Sequence, residues 1–239
     1  MKKITTVFFD LDGTLLPMDQ EVFVKAYLGG LVKVAAPYGY EPSLLAKSIM
    51  AGTYAMVKND GSRSNEDAFW GYMQTVFGQK IIDDSHIFDD YYATDFQKVA
   101  EACGHTPKAN EIVKQVKGKG LRVVLATNPL FPKAATESRI RWAGLDKNDF
   151  EIVTTFEGYS HCKPNLDYYK DILENLGVCP EECLMVGNDV DEDMIAEKLG
   201  MSVFLLTNDL INKSGTDIEQ FPHGDYDELR SFIEKNCAI

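Results

Sequence analysis

Two carboxylates stand two residues apart at the end of an apolar run near the start of the chain. The run and the acids belong to VFFDLDGTLL, residues 7–16, in which the acids are Asp10 and Asp12. Alternate side chains of a strand point to the same side, so both carboxylates can address one reacting group. Neighbouring carboxylates repel each other, and one of them keeps a proton unless a cation intervenes. The pair can therefore supply a nucleophile and a general acid around one metal ion.

A lone D-x-D pattern is a weak signal, because it also occurs in metal-dependent glycosyltransferases, in calcium-binding loops and by chance on surfaces. A calcium-binding loop is excluded, since no third acid and glycine follow at the spacing that such a loop requires. The position of the pair is more informative, because it ends a buried strand and is followed by Gly13 and Thr14, which permit a tight exit. We therefore interpret Asp10 and Asp12 as catalytic side chains rather than as a solvated strand end.

Four short apolar runs predict the sheet that positions these acids. Each run is continuous and rich in β-branched or aromatic residues, as expected of strands buried on both faces of a parallel sheet. Polar residues end each run, and the carboxyl ends of parallel strands meet at the edge where open α/β sheets bind ligands. Because helical segments separate the later runs, we predict an α/β protein with a doubly wound, Rossmann-like parallel sheet. The four runs are residues 4–10, 121–128, 183–189 and 202–208.

Residues 17–95 break this rhythm, because they contain no convincing strand. Apolar residues recur at helical spacing in residues 22–35 and 69–77, and Ser64 with Asp67 resembles a helix-capping box. We interpret the Met and aromatic residues of this stretch as packing rather than as a cofactor pocket. The stretch is therefore predicted to be an all-helical domain inserted after the first strand. The predicted domains are an α/β core, residues 1–16 and 96–239, and a helical cap, residues 17–95.

The motif DLDGTLL, which begins at Asp10, resembles the first motif of the haloacid dehalogenase superfamily. Members of this superfamily are mostly Mg²⁺-dependent phosphatases that work through an aspartyl-phosphate. Later motifs follow in the family's order, and the helical insertion lies where one subgroup carries its cap, so the resemblance covers the whole chain. It implies that Asp10 is the nucleophile and that Asp12 protonates the leaving oxygen. It also implies phosphate contacts from Thr127 and Lys163, and we expect Asn128 beside the phosphate as well.

The second acidic motif, MVGNDVDEDM, departs from the usual family pattern. The family commonly has Asp directly after the glycine, but here Asn188 takes that position and the acids are Asp189 and Asp193. Mg²⁺ prefers a charged oxygen ligand to a neutral one, so we expect Asp189 rather than Asn188 to bind the metal. Asp193 lies one helical turn further on and is expected to brace Lys163 or a metal-bound water. With the first motif included, the implied Mg²⁺ ligands are Asp10, Asp12 and Asp189.

The composition indicates an ordinary globular protein and excludes several partners. The 239 residues carry a formal net charge of −13 with no run rich in Lys or Arg, so we expect no nucleic-acid partner. No stretch is long and apolar enough to cross a membrane, and the first apolar run ends at Asp10 without a cleavage site, so we expect no signal peptide. The five scattered cysteines are expected to be reduced thiols in a cytoplasmic protein.

These features together predict a Mg²⁺-dependent phosphohydrolase that acts on a small phosphorylated metabolite. A phosphomutase stays open as an alternative, because it needs the same motifs with a cap that excludes water. A non-catalytic phosphate-binding module is disfavoured because both Asp10 and Lys163 are present, and dehalogenation is disfavoured because it gives Asp12 no leaving oxygen to protonate. The substrate and the oligomeric state are not readable, although the loop at residues 58–67, with Arg63, is expected to contribute to substrate choice.

Overall fold

One six-stranded sheet organises the part of the chain that the computed structural model describes, residues 3–237. The first two and the last two residues of the predicted core domain lie outside that part. All of the strands are parallel, which confirms the predicted doubly wound α/β class. In chain order the strands are β1 (Thr6–Phe9), β2 (Arg122–Leu125), β3 (Ile152–Val153), β4 (Cys183–Gly187), β5 (Ser202–Leu206) and β6 (His223–Gly224), and their order across the sheet is β3-β2-β1-β4-β5-β6.

The strand order changes direction at β1, which lies between β2 and β4. From β1 the chain first adds β2 and β3 on one side, and then adds β4, β5 and β6 on the other side. Phe9, the last residue of β1, is level with Leu125 of β2 and with Val186 of β4. The next residue continues the ladder, because the backbone N–H of Asp10 donates to Val186 O at 2.9 Å. Ligands bind to open α/β sheets at such reversal points, so the strand register brings Asp10 to the expected edge.

The four predicted apolar runs form β1, β2, β4 and β5, whereas the sequence pattern does not predict β3 and β6. Each of these two strands has only two residues, which is too short for an apolar run to stand out. Both still pair with the sheet, since Val153 is level with Leu125 and Gly224 with Leu206. The sequence therefore predicted the centre of the sheet and missed one short strand at each edge.

The described residues form nine α-helices, six of which lie between β1 and β2. No strand is formed within the described residues 17–95, as the all-helical prediction requires, while the domain boundaries themselves stay a prediction. Within residues 3–237 no helix is long and apolar enough to cross a bilayer. The helices are α1 (Gln20–Ala35), α2 (Pro42–Val57), α3 (Asn65–Phe77), α4 (Lys80–Asp83), α5 (His86–Ala93), α6 (Pro107–Gly118), α7 (Lys133–Trp142), α8 (Leu166–Leu176) and α9 (Tyr226–Asn236), and a 3-10 helix, Asp95–Ala102, joins α5 to α6.

Two apolar cores cover the two faces of the sheet. Val7 of β1 packs into one core together with Ile112 of α6 and Leu229 of α9. Phe8, the next residue of β1, packs into the other core together with Ile172 of α8. Because successive strand residues enter opposite cores, the interior positions of the central strands are apolar, which explains the continuous apolar runs in the sequence.

Aromatic side chains join the helical insertion to the core. Tyr27 of α1 packs against Phe131, with ring centroids 5.2 Å apart, and Tyr92 of α5 packs against Phe96 of the 3-10 helix at 5.3 Å. Tyr27 belongs to the predicted apolar face of α1 and is buried, whereas Val22, at the first turn of the helix, is 50% exposed. The predicted face of α1 is therefore correct except at Val22, and residues of this helix line the same cavity as Asp10.

Asn65, the first residue of α3, connects the insertion to loops of the core. Its side chain is fully buried, and its Nδ2 lies 3.3 Å from Pro129 O and 3.3 Å from Cys162 Sγ. Its backbone N–H donates to Tyr159 O at 2.8 Å. These contacts link α3 to the segments that follow β2 and β3, so Asn65 helps to hold the helices over the sheet edge.

Replacing Asn65 by alanine should lower the free energy of unfolding by about 1–3 kcal/mol, because the partners of its side chain stay buried without it. Urea-induced unfolding measures this change. Asn236→Ala is the matched control, since Asn236 is exposed on α9 and its Nδ2 donates only to Phe232 O. The control should change stability by less than about 0.5 kcal/mol. Equal losses in the two variants would contradict a structural role for Asn65.

Candidate active site

Asp10 lies just beyond the carboxyl end of β1 and is 7% exposed. Its Oδ1 accepts a hydrogen bond from Lys163 Nζ at 2.9 Å, and its Oδ2 accepts one from Thr14 Oγ1 at 3.3 Å. Gly13, which lies between Asp10 and Thr14 in the chain, adopts a φ of +82°. A Cβ at this position would lie 2.3 Å from Asn188 Nδ2. Only glycine fits this close approach, so the tight exit predicted after the strand brings the turn against Asn188.

Lys163, in the segment before α8, forms two buried ion pairs. Its Nζ lies 2.9 Å from Asp10 Oδ1 and 2.6 Å from Asp193 Oδ1. Burial alone would lower the pKa of Lys163, but the charges of Asp10 and Asp193 outweigh it and raise this pKa well above its ordinary value. Burial raises the pKa of Asp193 to about 7, although the charge of Lys163 opposes this shift. One ammonium is thus shared by two carboxylates, and Lys163 stays charged.

Asp12 forms an ion pair with a residue that the sequence pattern did not single out, Arg139 of α7. Asp12 Oδ2 accepts a hydrogen bond from Arg139 Nη1, and the guanidinium is fully buried and lies over the ring of Phe131 at 4.4 Å. Asp12 Oδ1 is also buried and has no hydrogen-bond partner. Burial raises the pKa of Asp12, and the opposing charge of Arg139 does not cancel this shift. Asp12 therefore takes up a proton more readily than a solvent-exposed aspartate does.

The helical period of α7 is the signal that could have identified Arg139. Ala135, Arg139 and Ala143 follow one another at intervals of four residues, and all three are fully buried. Such a spacing places them on one helix face, and an arginine on an otherwise apolar face requires a buried acidic partner. The sequence alone does not show that this partner is Asp12, because the position of Asp12 opposite α7 is known only from the fold.

Thr127 and Asn128 follow β2 and lie at the same sheet edge. Thr127 is 2% exposed, and its backbone O accepts a hydrogen bond from Tyr168 OH at 2.9 Å. Asn128 Nδ2 donates to Glu192 Oε2 at 2.9 Å, and its Oδ1 accepts from the backbone N–H of Lys163 at 3.2 Å. Burial raises the pKa of Glu192 to about 7. These contacts fix the loop after β2 against the segments that carry Lys163 and the second acidic motif.

Asn188 and Asp189, which follow β4, have different surroundings. Asn188 is 2% exposed, and its Oδ1 accepts a hydrogen bond at 3.1 Å from Thr14 Oγ1, the hydroxyl that also contacts Asp10. Asp189 Oδ1 instead accepts from the backbone N–H groups two and three residues later, at 2.8 and 2.9 Å. Asn188 therefore lies beside the Asp10 turn, while one carboxylate oxygen of Asp189 stabilises its own loop.

A cavity of about 180 Å³ opens at this edge, between the sheet and α1. Lys163 does not line the cavity, because it lies behind the carboxylate of Asp10. The structure thus brings every residue of the predicted site to one place, although none of the assigned roles is tested by this placement. The predicted residues that line the cavity are Asp10, Asp12, Thr127, Asn128, Asp189 and Asp193.

The oxygen atoms at this cavity suit a hard divalent cation. Asp10, Asp12, Asn188 and Asp189 contribute carboxylate or amide oxygens, and Asp12 Oδ1 is buried without a partner. Among residues 3–237 no three His, Cys, Asp or Glu side chains are grouped closely enough to form a metal centre by themselves. A cation here must therefore also take amide, main-chain or water oxygens, which is the coordination that Mg²⁺ accepts most readily.

Comparison with known proteins identifies relatives with related activities. The chain is 27% identical over 232 residues to a glyceraldehyde 3-phosphate phosphatase from Methanothermobacter thermautotrophicus. The matched region covers 90% of this chain and 94% of that protein. It is 26% identical over 187 residues to the pyrophosphatase PpaX of Bacillus cereus. This match covers 78% of this chain and 76% of that protein. The superposition on the crystal structure of a HAD phosphatase from Thermococcus onnurineus covers both chains completely, with a TM-score of 0.58 and 20% identity. This similarity shows the fold.

The family assignment rests on a match to a family model. The family model described as haloacid dehalogenase-like hydrolase matches residues 4–211, a range that includes both acidic motifs and Lys163. This range begins at β1 and ends beyond β5, so it contains the helical insertion as well as the strands that carry the site. The chain belongs to the haloacid dehalogenase-like hydrolase family, which confirms the resemblance seen in the sequence.

Proposed function

We propose that the protein is a Mg²⁺-dependent phosphatase that hydrolyses a small phosphomonoester through an aspartyl-phosphate on Asp10. The observation that carries this proposal is the position of Asp10, whose carboxylate lines the cavity beyond the central strand and lies 2.9 Å from Lys163 Nζ. The broader class, a phosphoric monoester hydrolase, agrees with the family match and with the named phosphatase relatives.

Asp10 is the proposed nucleophile of two successive displacements at phosphorus. In the first, a carboxylate oxygen of Asp10 bonds to phosphorus while the bond between phosphorus and the leaving oxygen breaks. In the second, a water oxygen bonds to phosphorus, the bond to Asp10 breaks and inorganic phosphate leaves. Phosphoryl transfer depends mainly on alignment and on charge stabilisation, and the ammonium of Lys163 is held beside the reacting group for this purpose.

Asp12 is the proposed general acid and base. It gives a proton to the leaving alcohol oxygen in the first displacement and takes one from the attacking water in the second. This role requires a carboxyl group that can carry a proton at the start, and burial shifts the pKa of Asp12 upward, in the direction of that form. Arg139 Nη1 donates a hydrogen bond to Oδ2 and fixes the orientation of this carboxyl group. Arg139 is thus a positioning residue for Asp12.

The remaining residues are proposed to hold the phosphate and the metal. Thr127 and Asn128 are assigned to the phosphate oxygens, and Asp193 keeps Lys163 in place through the contact at 2.6 Å. When bound, Mg²⁺ supplies the positive charge that a chain with a net charge of −13 lacks elsewhere. The residues assigned to the metal are Asp10, Asp12 and one of the neighbours Asn188 and Asp189.

Release of inorganic phosphate from a panel of phosphomonoesters, measured with and without Mg²⁺, tests the proposed activity. We expect many turnovers per enzyme molecule and loss of activity after chelation of the metal. A phosphomutase would convert a sugar phosphate into its isomer without net release of phosphate. A binding module would retain the ester without turnover, so the assay separates the three functions.

Asp10→Asn should reduce turnover to less than about one hundredth of the wild-type rate, because an amide cannot replace the attacking carboxylate. The fold should persist, as judged by circular dichroism, since the amide has nearly the same shape. Asp90→Asn is the matched control, because Asp90 is exposed on α5, and it should leave the rate unchanged. A rate for Asp10→Asn close to that of the control would exclude the covalent mechanism.

The metal ligand that follows β4 is tested by comparing Asn188→Ala with Asp189→Ala. The sequence pattern favours Asp189, but Asn188 has the contacts beside Asp10, while one oxygen of Asp189 is already bonded to two backbone N–H groups. We therefore expect Asn188→Ala to raise the Mg²⁺ concentration for half-maximal activity about tenfold, or about 1.4 kcal/mol of binding free energy. Asp189→Ala should raise it much less. The opposite order in the titrations would assign the metal to Asp189.

A further inference from the structure

A second cavity, of about 270 Å³, lies beside the candidate active site, between the helical insertion and the core. Val24, Leu130 and Phe131 line both cavities, so the second begins where the first ends. Half of its other lining residues are aromatic. The aromatic side chains that line it include Phe69, Trp70, Phe88, Tyr92, Phe131 and Phe156.

The size of this second cavity suits a ring with a short chain. A dry apolar cavity of about 150 Å³ is large enough to bind benzene, so about 270 Å³ leaves room for a ring and several further carbon atoms. Aromatic walls favour such a group, because they bury large apolar areas and stack on rings at low entropic cost. The cavity is therefore suited to the organic part of a phosphate ester and not to a second phosphate.

The charged side chains at the second cavity are all acidic. Glu66 of α3, Asp89 of α5 and Glu157 line it, and no Lys, Arg or His belongs to the lining of either cavity within residues 3–237. Burial raises the pKa of Glu66, and the charges of Glu157 and Asp89 act in the same direction. Arg63, which the sequence pattern associated with substrate choice, is exposed and lines neither cavity. An anionic group on the substrate would therefore meet carboxylates without a compensating cation.

We propose that the substrate is a phosphomonoester whose alcohol carries an apolar, ring-sized group and no second negative charge. The phosphate lies at Asp10 in the first cavity, and the apolar group passes Phe131 and fills the second. This assignment of a substrate class rests on the proposed phosphatase function. The proposal gives the helical insertion a role in recognising the apolar group of the substrate, because α1, α2, α3 and α5 all contribute to the lining of the second cavity.

Three synthetic esters test the proposal on the unaltered enzyme with Mg²⁺: propyl phosphate, 3-phenylpropyl phosphate and the same phenyl ester with a para carboxylate. We expect kcat/KM for 3-phenylpropyl phosphate to exceed that for propyl phosphate at least tenfold. The para carboxylate should reduce it at least tenfold. Equal values for the three esters would overturn the proposed substrate class while leaving the phosphatase function intact. Hydrolysis of none of them would overturn the phosphatase function, and the substrate class with it.

A variant that fills the second cavity locates the preference. Thr53 of α2 lines this cavity, so Thr53→Trp should reduce the ratio of kcat/KM for the phenyl ester to that for the propyl ester at least fivefold. Thr75→Trp is the matched control, because Thr75 is exposed on α3 and lines neither cavity, and it should leave the ratio unchanged. An unchanged ratio in Thr53→Trp would show that the ring binds elsewhere and would overturn the proposal.

A second variant tests the charge discrimination without adding volume. Glu66→Gln removes one carboxylate from the second cavity and keeps the shape of the side chain. We expect the ratio of kcat/KM for the carboxylate-bearing ester to that for 3-phenylpropyl phosphate to rise at least threefold. A ratio equal to that of the unaltered enzyme would contradict the role assigned to the acidic lining.

Discussion

The ammonium of Lys163 is held between two carboxylates beyond the carboxyl ends of the strands, and the rest of the site depends on this arrangement. An ammonium that has lost its water is tolerated only when charged partners replace the lost hydration. Asp10 and Asp193 do so at 2.9 and 2.6 Å, although Asp10 lies 153 positions from Lys163 in the sequence. Loss of both partners would leave a buried charge uncompensated, at a cost of about 3–5 kcal/mol. The fold must therefore hold three distant segments in one fixed arrangement.

A parallel sheet with β1 at its centre meets this constraint directly. β1 pairs with β4, and their carboxyl ends are level, so the segments that follow them carry Asp10 and Asp193 to the same edge. Packing on both faces makes these strands rigid, and the tight turn at Gly13 keeps the chain after β1 close to the loop after β4. The helices of the insertion then cover the edge, and the ion pairs of Lys163 beneath them are buried, which strengthens these charge interactions. The same cover creates the second cavity.

The sequence was sufficient to predict the parts of this arrangement that depend on strand periodicity. Apolar runs with polar endings predict four parallel strands and place Asp10, Asp12 and Thr127 at one edge. Arg139 could not be predicted, because its partner is set by how α7 packs over the sheet and not by neighbouring residues. The choice between Asn188 and its neighbour was equally inaccessible, since side-chain directions in a loop depend on hydrogen bonds that form only in the folded chain. The second cavity was missed because four helices and two core loops contribute to it.

The charge of the chain links the two cavities. A net charge of −13 repels phosphate esters at long range, so their binding must depend on positive charge concentrated at one point. Lys163 supplies such a point but is neutralised by its two carboxylates, which leaves the phosphate dependent on a cation that binds beside Asp10. Among the described residues that line the two cavities, the charged side chains are all acidic. The excess of acidic residues thus makes a bound cation necessary for the phosphate group of the substrate. The same excess disfavours a second anionic group on that substrate.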